Sequence, residues 1–204
     1  MPDLQIDHIL IRVGDLDTAA AALDADHGLG SVAGGRHPGW GTANRLVPLG
    51  SLYLELVTVV AEDDASANPF GRWVAGAPPG PIGWCVRTDS IEADAARLGL
   101  AVRHGSRLTP DGGLLSWRLA GVEHAAAEPS LPFFIAWDDP SANPGRVPVR
   151  HRSGPVELSR LELRGDADRI ERWLGGARLP IGIEQGKPST AQVVLAGREG
   201  AFVL

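Results

Sequence analysis

The stretch LQIDHILIRVGDLDTAAAALD, residues 4–24, contains a strand followed by a helix. His8 begins an alternation in which every second residue, from Ile9 on, is isoleucine or valine, and a period of two is typical of a β-strand. Asp15 or Asp17 then suits the N-cap of a helix, because the alanine run that follows is a strong helix former. We therefore predict a strand, an aspartate cap and a helix that ends at the glycines beyond it.

This pattern returns twice further along the chain. It recurs at residues 81–99, PIGWCVRTDSIEADAARLG, and at residues 156–176, VELSRLELRGDADRIERWLGG. The predicted helices lie near residues 15–26, 90–98 and 166–175. Polar, proline-rich segments at 61–81 and 138–155 are predicted to be connectors. The chain thus repeats a unit of one strand, one helix and further strands.

Composition limits the classes of function. The chain has 204 residues, 44% of them hydrophobic, which is enough for one domain or two small packed ones. Its formal net charge of -6 argues against nucleic acid as a partner. An apolar run of the roughly 20 residues that a membrane span needs is missing from the sequence. Cys85 is the single cysteine and a secretory leader is not visible, so we expect a cytoplasmic protein.

Residues 51–60, SLYLELVTVV, form a strand with a carboxylate in its middle. Three leucines share one face of this strand, whereas Tyr53 and Glu55 share the other. We expect the leucine face to pack against a helix and the opposite face to border a polar cleft. The preceding glycine-rich loop carries ring and amide side chains, of which His37 and Asn44 are two.

Four segments carry a resemblance to a known family: DHILIRVGDLDTAAAAL, GGRHPGWGTANRLVPLG, YLELV and PFFIAWDDPSANPGR. They resemble the glyoxalase-like group of the vicinal-oxygen-chelate superfamily, which includes glyoxalase I, bleomycin-resistance proteins, fosfomycin-modifying enzymes and extradiol dioxygenases. The resemblance covers most of the chain and is weakest over the last fifty-odd residues. It implies an α+β fold of repeated βαβββ modules, with curved, mainly antiparallel sheets around a cleft and helices outside.

The resemblance also implies a domain organisation. Paired βαβββ modules at about residues 4–60 and 80–138 would form a glyoxalase-like domain over residues 1–140. Residues 150–204 would form a third partial or full βαβββ-like repeat that packs on this domain.

In the metal enzymes of the superfamily, the first strand of a module supplies a histidine or glutamine and the last strand a glutamate. His8 and Glu55 match these two metal ligands, and Glu55 is also the candidate catalytic proton acceptor. The resemblance therefore implies a divalent metal such as Zn, Ni, Mn or Fe, held so that two neighbouring oxygens of a substrate bind it.

The later repeats depart from this pattern. Counting from the aspartates, Ile82, or Gly83 after a slip of one residue, matches His8, and Ala136 matches Glu55. The third repeat has Ser159 and Val203 at these places. Only half of a metal site is visible, although His37, His104 or His124 would complete a rearranged one.

The candidate substrate-binding residues are His37, Trp40, Asn44 and Tyr53. Each candidate also has a structural interpretation. His8 next to Asp7 suits a hydrogen-bonded strand histidine, and Glu55 suits a partner of Arg12, Arg45 or another guanidinium. Asn44 suits a turn cap, Trp40 suits ordinary packing, Trp84, Trp117 and Trp137 suit core or cleft lining, and Cys85 suits a buried small hydrophobe.

Three classes of function stay open at this point. The first is a metal-dependent lyase, isomerase or dioxygenase that acts on a substrate with vicinal oxygens. The second is a metal-free protein, similar to bleomycin-resistance proteins, that binds a small molecule. The third is an assembly protein with a filled cleft. We expect a small-molecule ligand as the partner, no nucleic acid and no membrane, with a homodimer as an open alternative.

Overall fold

The computed structural model describes residues 3–108, 112–198 and 200–204. The first module contains β1 (Gln5–Arg12), α1 (Leu16–His27), β2 (Val32–His37), β3 (Thr42–Pro48) and β4 (Tyr53–Val59). The side chain of Asp15 caps α1 by accepting a hydrogen bond from the amide of Thr18. Gly28 ends α1 in the left-handed region, at a φ of 65°. The cap, the helix and the glycine stop lie where the sequence predicts them.

Two short helices follow β4, α2 (Glu62–Ala67) and α3 (Pro69–Gly76). The predicted connector over residues 61–81 does link the two modules, but most of it is helical. The side chain of Asn68 accepts hydrogen bonds from the first amides of α3, and Pro69 takes the first helical position, where proline is favourable. The helix is also stabilised by a buried apolar face that contains Phe70 and Trp73.

The second module contains β5 (Gly80–Arg87), α4 (Ile91–Leu98), β6 (Val102–Leu108), β7 (Leu114–Ala120), α5 (Val122–Ala127) and β8 (Phe133–Trp137). Helix α4 lies where the sequence predicts it, whereas α5 was not predicted. Residues 138–155 form a connector with two short 3-10 turns, Pro140–Ala142 and Pro144–Arg146.

The two modules share one eight-stranded sheet with the order β2-β3-β4-β1-β5-β8-β7-β6. In each module the first and last strands are parallel, and β1 pairs antiparallel with β5 where the modules meet. The sheet curves until its ends touch: Arg107 of β6 donates a hydrogen bond from Nη1 to the carbonyl oxygen of Gly34 in β2, at 2.9 Å. These features confirm the predicted fold of βαβββ modules around a cleft.

The remaining elements are β9 (Glu157–Arg164), α6 (Ala167–Trp173), β10 (Ile181–Glu184), β11 (Ser189–Gly197) and β12 (Gly200–Val203). They form a four-stranded sheet with the order β10-β9-β11-β12. Here β9 is parallel to β10, the strand directly after the helix, whereas the first strand of each earlier module is parallel to the last. The element order is that of a βαβββ unit, but the pairing differs. The proposed domain division stays a prediction.

The two faces of the large sheet lie in different apolar clusters. Leu52 and Leu54 belong to the outer cluster, against which Leu23 of α1 packs. Tyr53 and Val57 belong to the inner cluster, on the concave side. The alternation along β4 therefore separates a packing face from a cleft face, as the sequence predicts. None of the described helices is both long and apolar enough to cross a membrane.

Candidate functional site

The concave side of the large sheet encloses a cavity of about 50 Å³. All six predicted site residues lie in its wall: His8, His37, Trp40, Asn44, Tyr53 and Glu55. A space of this size holds only a few water molecules. The cavity thus has room for a very small ligand, or for the reactive part of a larger one.

Glu55 is the carboxylate in this wall, and it is only 6% exposed. Its Oε1 accepts a hydrogen bond of 2.7 Å from Asn44 Nδ2, while its Oε2 lies 3.6 Å from His8 Nε2. The interpretation of Arg45 as a partner of Glu55 was wrong, because Arg45 donates hydrogen bonds to Asp17 and Ser31 instead. Consecutive residues of a strand point to opposite faces, so Arg45 points away from the cleft when Asn44 points into it.

Asn44 lies within β3 and does not cap a turn, so the cap interpretation was wrong. Its Oδ1 accepts a hydrogen bond of 2.8 Å from the amide of Gly35 in the neighbouring strand. A Cβ atom on Gly34 would come within 1.9 Å of this oxygen, so that position needs a glycine. Gly34 thus makes room for Asn44, which fixes one oxygen of Glu55.

His8 is held on two sides. Its Nδ1 lies 2.9 Å from Oδ1 of the buried Asp7. Its ring stacks on Tyr53, with centroids 4.9 Å apart and planes at 23°. Burial raises the pKa of Tyr53 well above its usual value, and the negative charges of Asp7 and Glu55 act in the same direction. The Tyr53 hydroxyl therefore stays protonated and keeps a hydrogen that it can donate.

His37 completes the polar wall. Its Nδ1 lies 2.9 Å from Thr42 Oγ1, and its Nε2 lies 3.4 Å from Asn44 Nδ2. Burial lowers the pKa of His37, Glu55 opposes this effect, and Arg107 adds to it. A neutral imidazole that donates to Thr42 and accepts from Asn44 satisfies both contacts.

The second module contributes apolar side chains to the cavity. Phe133, Ile135 and Trp137 of β8 line it, whereas Ala136 belongs to the outer cluster. The predicted match of Ala136 to Glu55 was therefore wrong, because Ala136 is on the opposite face of its strand. Trp84 belongs to the outer cluster, and the thiol of Cys85 is fully buried, which raises its pKa.

A third protein ligand for a metal is not found in the described part of the chain. His104 borders a separate outer cavity, and the ring of His124 lies 5.5 Å from that of Trp173. Ser159 and Val203 lie in the smaller sheet. Among the described residues, we find no group of three or more histidine, cysteine, aspartate or glutamate side chains that would hold an ion.

Sequence reasoning missed Arg107, which is 8% exposed and lines the cavity from β6. Alternation places Gly105 and Arg107 on one face of this strand, and a Cβ atom on Gly105 would come within 2.5 Å of Trp117 Nε1. Neither face of β6 carries an aliphatic stripe, so the sequence alone does not show which face lies inside.

A second cavity of about 260 Å³ lies outside the first. The two share Trp40, Phe70 and Leu119 in their walls. The rings of Trp40 and Phe70 are 5.4 Å apart and lie between the two spaces. Trp40 is half-buried in the turn between β2 and β3 and borders both cavities.

Comparison with known proteins identifies the family. The sequence model of the glyoxalase-like domain matches residues 6–178. The chain belongs to this family. This membership confirms the resemblance that the sequence segments carry.

Solved structures with a similar fold include a hypothetical protein from Staphylococcus aureus. That protein has 17% identity and a TM-score of 0.76, over 97% of this chain and 92% of its own. A variant of methylmalonyl-CoA epimerase from Streptomyces coelicolor has 19% identity and a TM-score of 0.48, over 65% of this chain and 95% of its own. Methylmalonyl-CoA epimerase from Mycobacterium tuberculosis has 16% identity and a TM-score of 0.46, over 65% and 86%. The curated proteins contain no significant match.

The lowered pKa of His37 predicts a pH dependence of stability. The folded state resists protonation of His37, so the unfolded state binds this proton more readily as the pH falls below about 6.5. The free energy of unfolding should thus decrease from pH 7.5 to 5.5, and less so in His37→Gln. Thermal melts at both pH values measure this difference. His104→Gln changes an exposed histidine and is the control, so its free energy of unfolding should decrease as much as that of the wild type. If the free energy of unfolding of His37→Gln also decreased as much as that of the wild type, the prediction would be wrong.

Proposed function

We propose that the cavity binds a small anionic molecule with neighbouring oxygen atoms, and that Glu55 exchanges a proton with a carbon beside one of these oxygens. This is the chemistry of an isomerase or a lyase. His8 contacts the ligand through Nε2. Arg107 and the Tyr53 hydroxyl supply donors for the ligand oxygens.

The position of Glu55 carries this proposal. One of its oxygens is occupied by Asn44, while the other is directed at a histidine nitrogen across a gap of 3.6 Å. Burial of a carboxylate costs free energy unless its partners compensate for the lost water. A buried acceptor that is only half occupied, in the wall of a cavity, suits a general base, which needs to come within hydrogen-bond reach of the proton it removes.

Arg107 supports an anionic ligand. Its guanidinium group lies in the same wall as Glu55, and a guanidinium is the side chain that best matches the geometry of a carboxylate or phosphate. The free volume of about 50 Å³ means that only a small reactive group fits beside these residues. A larger ligand would extend past Trp40 into the outer cavity.

The fit of a metal ion to these residues is partial. Two ligands of a tetrahedral zinc ion, each about 2.1 Å from it, lie roughly 3.4 Å apart, close to the separation of His8 and Glu55. A catalytic zinc usually has three protein ligands, and the described residues offer this pair alone. The oxygens of the ligand would therefore complete the coordination, and a bound Zn, Ni, Mn or Fe ion would polarise them as a Lewis acid. We assign the proton transfer to Glu55 itself.

A metal-free binding protein is the second candidate. The wall of the inner cavity is rich in aromatic side chains, among them Trp40, Phe70, Trp117 and Trp137. Such a wall suits the capture of a flat apolar molecule without chemistry.

Exchange of substrate hydrogen with solvent tests the proposed chemistry. A panel of small 2-oxo acids and 2-hydroxyketones is incubated with the protein in deuterium oxide, and proton NMR follows the carbon-bound hydrogens. We expect deuterium incorporation into at least one compound, and a loss of at least about a hundredfold in rate in Glu55→Gln, because the amide does not accept the proton. Glu92→Gln changes an exposed carboxylate and is the control. Tight binding of panel compounds without exchange would favour the metal-free binding protein.

The incomplete ligand set predicts weak metal binding that depends on a second ligand. Protein purified without a histidine tag should carry less than one equivalent of metal by elemental analysis. Co²⁺ should bind at least about tenfold more tightly in the presence of oxalate, because oxalate supplies two neighbouring oxygens for the open positions. Calorimetry measures both affinities. A stoichiometric, tightly held ion in the purified protein would contradict the prediction.

A further inference from the structure

Strand β1 contains an irregularity at Asp7. Ile6 and His8 lie opposite consecutive residues of β5, so Asp7 has no partner in that strand. This is the arrangement of a β-bulge, which redirects side chains and is frequent beside active sites. Ile6 and Ile9 both belong to the outer cluster, and the two residues between them, Asp7 and His8, are left for the cleft side.

Asp7 is completely buried and has four contacts, all to groups that can donate a hydrogen bond. Its Oδ2 accepts from Arg87 Nη1 at 3.1 Å, from Trp137 Nε1 at 2.9 Å and from Asn143 Nδ2 at 2.8 Å. Its Oδ1 lies 2.9 Å from His8 Nδ1. An ionised carboxylate only accepts hydrogen bonds, so His8 Nδ1 carries the proton in this contact.

We propose that Asp7 is a positioning residue, which holds the proton of His8 on Nδ1 and so presents Nε2 to Glu55 and to the ligand. That the ligand meets Nε2 rests on the proposed function, whereas the position of the proton on the imidazole does not. A carboxylate that orients a histidine in this way also increases its basicity as a ligand or proton acceptor.

Asp7 pairs with Arg87, whose side chain is 16% exposed, and such an ion pair is often no more stable than a well-packed apolar pair of the same volume. Stability is therefore a weak reason for these contacts. The positioning of Asp7 also gives the connector after β8 a role. This connector folds back so that Asn143, six residues after Trp137, donates to the same carboxylate oxygen of Asp7 as Trp137 does. The amide of Gly145 donates to Asn143 Oδ1 at 2.7 Å, which orients the Asn143 amide group so that Nδ2 faces Asp7.

The variant Asp7→Asn should move the imidazole proton of His8 from Nδ1 to Nε2. Three donors converge on the position of Oδ2, so the amide oxygen takes that position. The amide nitrogen then lies where Oδ1 was and donates to His8 Nδ1. His8 Nδ1 then has to accept this hydrogen bond, so it carries no proton. The imidazole proton is on Nε2 instead, where it points at Glu55.

Nitrogen NMR of the imidazole rings tests the proposal. Long-range proton–nitrogen correlation on ¹⁵N-labelled full-length protein reports which ring nitrogen is protonated, and His8→Gln identifies the signals of His8. We expect a protonated Nδ1 in the wild type and a bare Nδ1 in Asp7→Asn. Asp94→Asn is the matched control. Asp94 is also a buried carboxylate, but it lies away from the cavity, where it accepts a hydrogen bond of 2.7 Å from Thr88 Oγ1. This variant should leave the protonation of His8 unchanged.

A bare Nδ1 in the wild type, or a Nδ1 that stays protonated in Asp7→Asn, would overturn the proposal. The wild-type spectrum decides this even if Asp7→Asn does not fold. Co²⁺ binding with oxalate separates the two proposals. It should weaken about 10- to 100-fold in Asp7→Asn, because a protonated Nε2 is not a ligand. If Co²⁺ binds to neither protein while Nδ1 loses its proton in the variant, the metal contact is wrong and the positioning role stands.

Discussion

Strand β1 is covered on both faces, and its antiparallel pairing with β5 joins the two halves of the curved sheet. This pairing imposes two demands on one short stretch of chain. Ile6 and Ile9 have to fill the outer cluster, and His8 has to reach the cleft. A regular strand would place Ile6 and Ile9 on opposite faces, so the bulge at Asp7 is the element that satisfies both demands.

The bulge links the fold to the chemistry of the site. A continuous series of polar contacts runs from Arg87 through Asp7 to His8, then across the 3.6 Å gap to Glu55 and on to Asn44. Aromatic rings surround this series, which lowers the local dielectric constant and strengthens each interaction. The gap between His8 and Glu55 is the place where the proposed function puts the ligand.

Much of this arrangement follows from the sequence, because local rules govern it. Aspartate caps, glycine stops and period-two alternation predict the first helix and the faces of β4, and hence the direction of Glu55. The rest depends on contacts between distant residues. Helix α3 has a local cap in Asn68 but also needs the burial of its apolar face, Ala136 faces outward because of the register of β8, and Arg107 is directed inward by the closure of β6 onto β2. A bulge is a mismatch between two strands, which one strand alone does not reveal.

We propose that Glu55 serves a ligand and is not needed for stability. The free energy of unfolding of Glu55→Gln, measured with urea beside the wild type, decides between these two roles. The glutamine amide would keep the hydrogen bond from Asn44 and add one to His8 Nε2, so we expect a value within about 1 kcal/mol of the wild type or above it. A loss of about 3 kcal/mol or more, the usual cost of breaking a buried ion pair, would show instead that the carboxylate is structural.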